Sequence, residues 1–237
     1  MPADVEIQSI DELAVRFARL MEDAAREAVA GRGAFSMAIP GGSAAELLLP
    51  ALIPAAIDWE KTQVFWVDER MVPAADPTSN FGAAKAAWLD RVPLSPERIH
   101  RMRGEAPVPV QAAAEYAQLL RAQLGDPVKL DLVLLGMGAD GHVASLFPGH
   151  RLLRAWDREV AVLDDAPKPP ARRMTLTLRT LAAARRIVVF ATGSAKAAAV
   201  AEALHDEDSE LPVALAILGE AQVTFLLDPD AASKLPR

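Results

Sequence analysis

Short apolar runs alternating with helical segments constrain this chain more than any other feature. Residues 35–39, 63–67, 130–135, 159–163, 174–178 and 187–191 each have the length of a buried strand. Residues 98–102 are a weaker strand candidate, and the runs 213–218 and 223–227 close the series. Helical spacing fills the gaps. After Ser9-Ile10-Asp11-Glu12, which has the spacing of a capping box, Leu13, Phe17, Leu20, Met21, Ala24 and Ala28 fall on one helical face, with Gly31 as the expected stop. Further helices are expected from Ala44 onward, where Pro50 disturbs the spacing, and over 79–90, 110–124 and 194–204. Alanine supplies 47 of the 237 residues, which favours helix. Strand and helix in alternation imply βαβ units. The expected fold class is therefore α/β: a largely parallel central sheet covered by helices on both faces, Rossmann-like. No repeat or long linker divides residues 1–237, and the Pro-rich stretch 164–170 reads as a surface loop within a single domain.

Charge and composition remove several classes of function. The net charge is −7 and no long basic run occurs, which argues against a nucleic-acid partner. An anionic metabolite would need a local positive pocket. With no cysteine there is no disulfide scaffold, thiolate zinc site or cysteine nucleophile. The longest run without a charged residue is thirteen residues, 33–45, too short to cross a bilayer, so no membrane association is expected. The acidic start MPADVEIQSIDELAVRF lacks a signal-peptide layout, and a cytoplasmic protein is expected. Neither HExxH nor GxSxG occurs, so neither a metal cofactor nor a serine triad is expected.

Four polar clusters follow apolar strands, where open parallel sheets bind their ligands. In Pro40-Gly41-Gly42-Ser43, glycines allow close backbone approach, and free amides plus the Ser43 hydroxyl suit an anion. An ordinary tight turn with Ser43 as helix cap is the other reading. In Asp68-Glu69-Arg70, three consecutive charges face a solvent-filled cleft or pair with one another; Arg70 suits an anion and Asp68 a sugar hydroxyl. The run from Gly136 through Gly138 and Asp140 to His142 combines a sharp turn with an imidazole suited to act as general base, which Asp140 would orient. His100, His150 and His205 lack that context. Lys196, at the start of a helix, opposes the helix dipole unless an anion sits there; a surface lysine is the other reading. Of the adjacent Arg172 and Arg173, alternation along a strand lets at most one reach the same pocket.

Four blocks in order carry a resemblance: AIPGGSAAELL (38–48), VFWVDERMVP with PTSNFGAAKAAWLD (64–90), LDLVLLGMGADGHVASLFPG (130–149) and RMTLTLRTLAAARRIVVFATGSAKAAAV (173–200). The chain resembles the glucosamine-6-phosphate isomerase/6-phosphogluconolactonase family over residues 5–230. The resemblance implies hydrolysis of 6-phospho-D-glucono-1,5-lactone to 6-phosphogluconate, a step of the oxidative pentose phosphate pathway, without a cofactor, by a monomer or weak homodimer. It makes His142 the base, Arg70 a substrate-positioning residue and Gly41, Gly42 and Ser43 the phosphate loop. Lys196 becomes a second phosphate contact and Arg173 a looser match. Ser145-Leu146-Phe147-Pro148 stands where deaminases of the family carry an Asn-Glu-Pro-type sequence, which favours the lactonase over the deaminase reading. A non-catalytic sugar-phosphate sensor is the third reading. The family's Ser-Gly-Gly-Ser-Thr-Pro loop is altered here to Pro40-Gly41-Gly42-Ser43-Ala44-Ala45, with the loss of at least one hydroxyl.

Overall fold

A computed structural model describes residues 3–236. Its main sheet holds seven strands: β1 (Asp4–Ile7), β2 (Phe35–Ile39), β3 (Thr62–Trp66), β5 (Ile99–His100), β6 (Leu132–Gly136), β9 (Arg186–Ala191) and β10 (Gln222–Leu227). They run in the order β1-β10-β9-β6-β2-β3-β5, and every neighbouring pair is parallel. Every residue of β2 is buried, as is nearly all of β6, β9 and β10. A strand buried along its whole length is covered on both faces, as the expected fold requires.

Helices α1 (Ile10–Arg32), α2 (Gly42–Leu48), α3 (Asn80–Ala87), α4 (Pro109–Leu124), α5 (Leu178–Ala182), α6 (Ala197–His205) and α7 (Pro212–Ala216) fill the connections. In α1, Leu13, Phe17, Met21, Ala24 and Ala28 are buried as their spacing predicts, and Glu12 accepts from both the amide and the hydroxyl of Ser9. The helix passes Gly31 and stops at Gly33, whose φ of 81° is the left-handed conformation that glycine adopts without penalty.

Several expected boundaries move. The apolar run after Leu211 is the short helix α7, started by Pro212 at its first turn. The helix expected over 194–204 begins with a 3-10 turn, Ser194–Lys196, and becomes α-helical only at Ala197. The helix expected over 79–90 ends at Ala87 and tightens into a 3-10 turn. β1 is too short and too exposed to show a hydrophobic pattern in the sequence.

The larger departure is a second sheet. β4 (Asp68–Arg70), β8 (Arg173–Leu176) and β7 (Val160–Leu163) form a three-stranded antiparallel sheet in the order β4-β8-β7. Asp68-Glu69-Arg70 is thus strand rather than loop, with Arg70 directly opposite Arg173.

Chain direction fixes where a ligand fits. From β2 the chain goes on to β3, on one side; from β6 it goes on to β9, on the other. The adjacent pair β2 and β6 is therefore the topological switch point of the sheet. Their register ends at Ala38↔Val133, leaving the carboxyl ends free to diverge. At the opposite end the two strands are clamped by Asp131. Its carboxylate accepts from the amide and hydroxyl of Ser36, both at 2.9 Å, and from Arg32 Nε at 2.9 Å. Asp131→Ala leaves that buried amide without its acceptor; unfolding in denaturant should reveal a loss of about 2 to 3 kcal/mol.

Candidate active site

A cleft of about 150 Å³ opens at this switch point. Pro40–Ala44 after β2 and Gly136–Gly138 after β6 form two of its walls. Asp68, Arg70 and Arg173 from the small sheet, Asn80 from α3, and His142 with Ala144 complete it. Eight of the ten expected site residues line this space: Gly41, Gly42, Ser43, Asp68, Arg70, Gly138, His142 and Arg173. Arg172 points to a different groove, so strand alternation selects Arg173.

The base candidate is held by a tight turn. Gly138 N–H donates to the His142 carbonyl at 2.9 Å, and Gly141 N–H to the Gly138 carbonyl at 3.0 Å. The turn sets His142 Nδ1 2.5 Å from Asp140 Oδ1. A carboxylate on Nδ1 fixes the proton there and leaves Nε2 as the lone-pair nitrogen. Asp140 itself is partly exposed and does not line the cleft; it stands behind the ring. Burial pushes the His142 pKa below the usual 6.5, with the Asp140 contact opposing and not cancelling it. Phe147 packs on the imidazole, with ring centroids 4.9 Å apart. A Cβ on Gly138 would fall 2.0 Å from His142 Nδ1, so only glycine leaves room for the ring.

The acidic residues do not behave as the sequence suggested. Asp68 and Glu69 are 4% and 2% exposed. Glu69 faces neither solvent nor a basic partner. It accepts from the amides of Arg70, Asn80 and Phe81 at 2.7–2.8 Å and from Ser79 Oγ at 3.1 Å, capping the start of α3. Burial raises its pKa, and the backbone donors counter this in part. Asp68 accepts from Ser145 Oγ at 2.6 Å and from Asn80 Nδ2 at 3.0 Å. Asn80 occupies the space a Cβ on Gly41 would need, at 1.9 Å from its Oδ1.

Of the three charges, Arg70 is the one left free to serve the cleft. One terminal nitrogen donates to the Thr78 carbonyl at 2.8 Å, while its buried Nε has no protein partner among the described residues. Arg173, 4% exposed, donates to the carbonyls of Pro170 and Lys168 at 2.9 and 2.8 Å and reaches Ser145 Oγ at 3.3 Å. Lys196 does not line the cleft. It stands on the loop after β9, where Asp228 accepts the Gly193 amide at 3.0 Å, and burial lowers its pKa.

Sequence reasoning gave no role to Asn80, Ser145, Lys168 or Asp228. Asn80 and Ser145 stand inside quoted blocks, yet no spacing rule pairs residues so distant in sequence. A larger groove of about 720 Å³ lies between α4 and β7, away from the switch point. Its wall is rich in alanine, and Arg121 and Arg158 are already paired with Glu159 and Asp157. No histidine faces it, so the smaller cleft is the chemical one. Among the described residues, no group of three His, Asp or Glu side chains could hold a metal, and no helix is long and apolar enough to cross a membrane.

Fold and site together define a Rossmann-like α/β protein with a cationic cleft at the switch point of its sheet. Residues 8–225 match the family described as glucosamine-6-phosphate isomerases/6-phosphogluconolactonase, and the chain belongs to that family. It is 41% identical to the 6-phosphogluconolactonase of Streptomyces coelicolor, covering 89% of this chain and 86% of that one. It is 37% identical to the 6-phosphogluconolactonase of Mycobacterium tuberculosis over the whole of both. The solved 6-phosphogluconolactonase of Trypanosoma brucei superposes with a TM-score of 0.87 at 27% identity, covering 99% of each chain.

The tight turn is open to a direct test. Gly138→Ala should drive the ring from Asp140 with little change in circular dichroism, and nitrogen NMR should show the Nδ1-protonated tautomer lost.

Proposed function

We propose that the protein hydrolyses 6-phospho-D-glucono-1,5-lactone to 6-phosphogluconate, with His142 as general base. The observation that carries this reading is His142, held by Asp140, lining the same cleft as the Gly41–Gly42–Ser43 loop and two arginines. The named relatives support the choice of substrate.

The steps follow from the donors. His142 Nε2 takes a proton from water, and the hydroxide adds to the lactone carbonyl carbon. Negative charge then develops on the carbonyl oxygen. The amides of Gly138 and Gly141 are already bonded within the turn, so the guanidinium of Arg70, which lines the cleft, is the better donor to that oxygen. As the tetrahedral centre collapses, the bond to the ring oxygen breaks and imidazolium returns the proton to it. The new carboxylic acid releases its proton to solvent. Asp140 keeps the ring in the correct tautomer and stabilises the imidazolium.

The phosphate belongs at Gly41, Gly42 and Ser43. Gly42 and Ser43 are exposed in the first turn of α2, where amides have no helical acceptor, and Lys196 is assigned here as a second phosphate contact from outside the cleft lining. Pro40 and Ala44 remove side-chain hydroxyls but leave these amides in place. Binding the phosphate fixes the carbonyl against His142.

In an assay of freshly generated lactone, corrected for spontaneous hydrolysis, His142→Ala should lower kcat by roughly 10² to 10⁴ with the fold retained. Near-normal turnover in that variant removes the base. Because only neutral imidazole serves, and burial depresses its pKa, kcat/KM should hold through neutral pH and fall only below about 6.5. Lys196→Met should act mainly on KM, raising it about tenfold or more through the loss of a charged phosphate contact.

A further inference from the structure

Lys168 sits in the segment that joins β7 to β8 and does not line the cleft. Four contacts hold the loop in place. Arg173 donates to the carbonyls of Lys168 and Pro170 at 2.8 and 2.9 Å. The Ala166 amide donates to the Ala171 carbonyl at 3.1 Å. At the near end, His150 Nε2 is 3.0 Å from Asp165 Oδ1. Arg173 is itself fixed to Ser145, which donates to Asp68. The backbone of Lys168 is therefore tied to the buried frame of the cleft, unlike that of an ordinary surface lysine.

From that position Lys168 Nζ lies 3.9 Å from Asp140 Oδ1, the same oxygen that holds His142 Nδ1. Both side chains are about half exposed, at 52% and 40%. A pair so open to water adds little to stability. Its effect falls on the groups it touches.

We propose that Lys168 is a positioning residue for the Asp140–His142 pair, fixing the carboxylate and keeping the imidazole in its neutral, proton-accepting form. The inference rests on the role given to His142 above. Lys168 acts by opposing charge: the carboxylate alone favours imidazolium, and a cation on the carboxylate weakens that preference. Lys168 and Asp140 act on His142 in opposite directions, as this requires. The other charged groups facing the ring are Asp68 from β4, which favours the cation, and Arg70 and Arg173, which share the cleft. Arg173 stands over the Phe147 ring, 5.6 Å from its centroid, on the residue that packs against the imidazole.

The test is an NMR titration of the His142 ring at low ionic strength in the wild type, Lys168→Met and Lys168→Arg, with kcat/KM against pH measured on the same samples. In Lys168→Met the His142 titration should move upward by about half a pH unit, and Lys168→Arg should restore it. The acid limb of kcat/KM should move with it, so that turnover falls more at pH 6 than at pH 8. An unchanged His142 titration in a folded Lys168→Met protein overturns the inference, whatever the substrate is. A shifted titration in a protein that leaves the lactone untouched upholds the role of Lys168 and overturns the proposed reaction instead.

Discussion

A carboxylate removed from water needs donors, and Asp68 takes its donors from separate parts of the chain. Ser145 comes from the loop that carries His142, and Asn80 from the first turn of α3. Arg173 joins through Ser145 from the neighbouring strand. If any of these drifted, a charge 4% exposed would lose compensation, a costly event in a low-dielectric interior. The requirement holds the histidine loop, the α3 turn and the small sheet in one relative position. Precision in the cleft is thus a consequence of burying one anion.

Glu69 works in the same way one residue along. Its oxygens take the two amides that open α3, an end where helix amides have no internal acceptor. Strand β4 is thereby fastened to the helix that supplies Asn80. The two acids meet at Asn80, Asp68 accepting from its side chain and Glu69 from its amide. Arg70, the third charge, is left to serve the cleft.

Glycine has a different part in the site. At positions 41 and 138 a Cβ would overlap Asn80 and His142. These glycines make room for the polar side chains rather than touching a ligand through flexibility alone. Gly138 also closes the turn through its amide, which takes that amide out of competition for an oxyanion. In the altered phosphate loop, Pro40 and Ala44 flank Gly41, Gly42 and Ser43 and line the same cleft.

The sequence by itself determined the alternation of strands and helices, and hence the parallel sheet, because burial on both faces demands continuous apolar runs. It also marked the strand ends as the place for chemistry. His142 and its partner Asp140 were legible because a contact over two residues is local. The small antiparallel sheet was legible only in part: β7 and β8 fall in expected apolar runs, but β4 is a charged triplet that pairs with β8 about a hundred positions away. Tertiary structure alone decided that Asp68 and Glu69 would be buried, that Arg173 rather than Arg172 would face the cleft, and that Lys168 would reach Asp140. Each depends on which distant donor arrives beside a given charge, and no periodicity along one chain encodes that meeting.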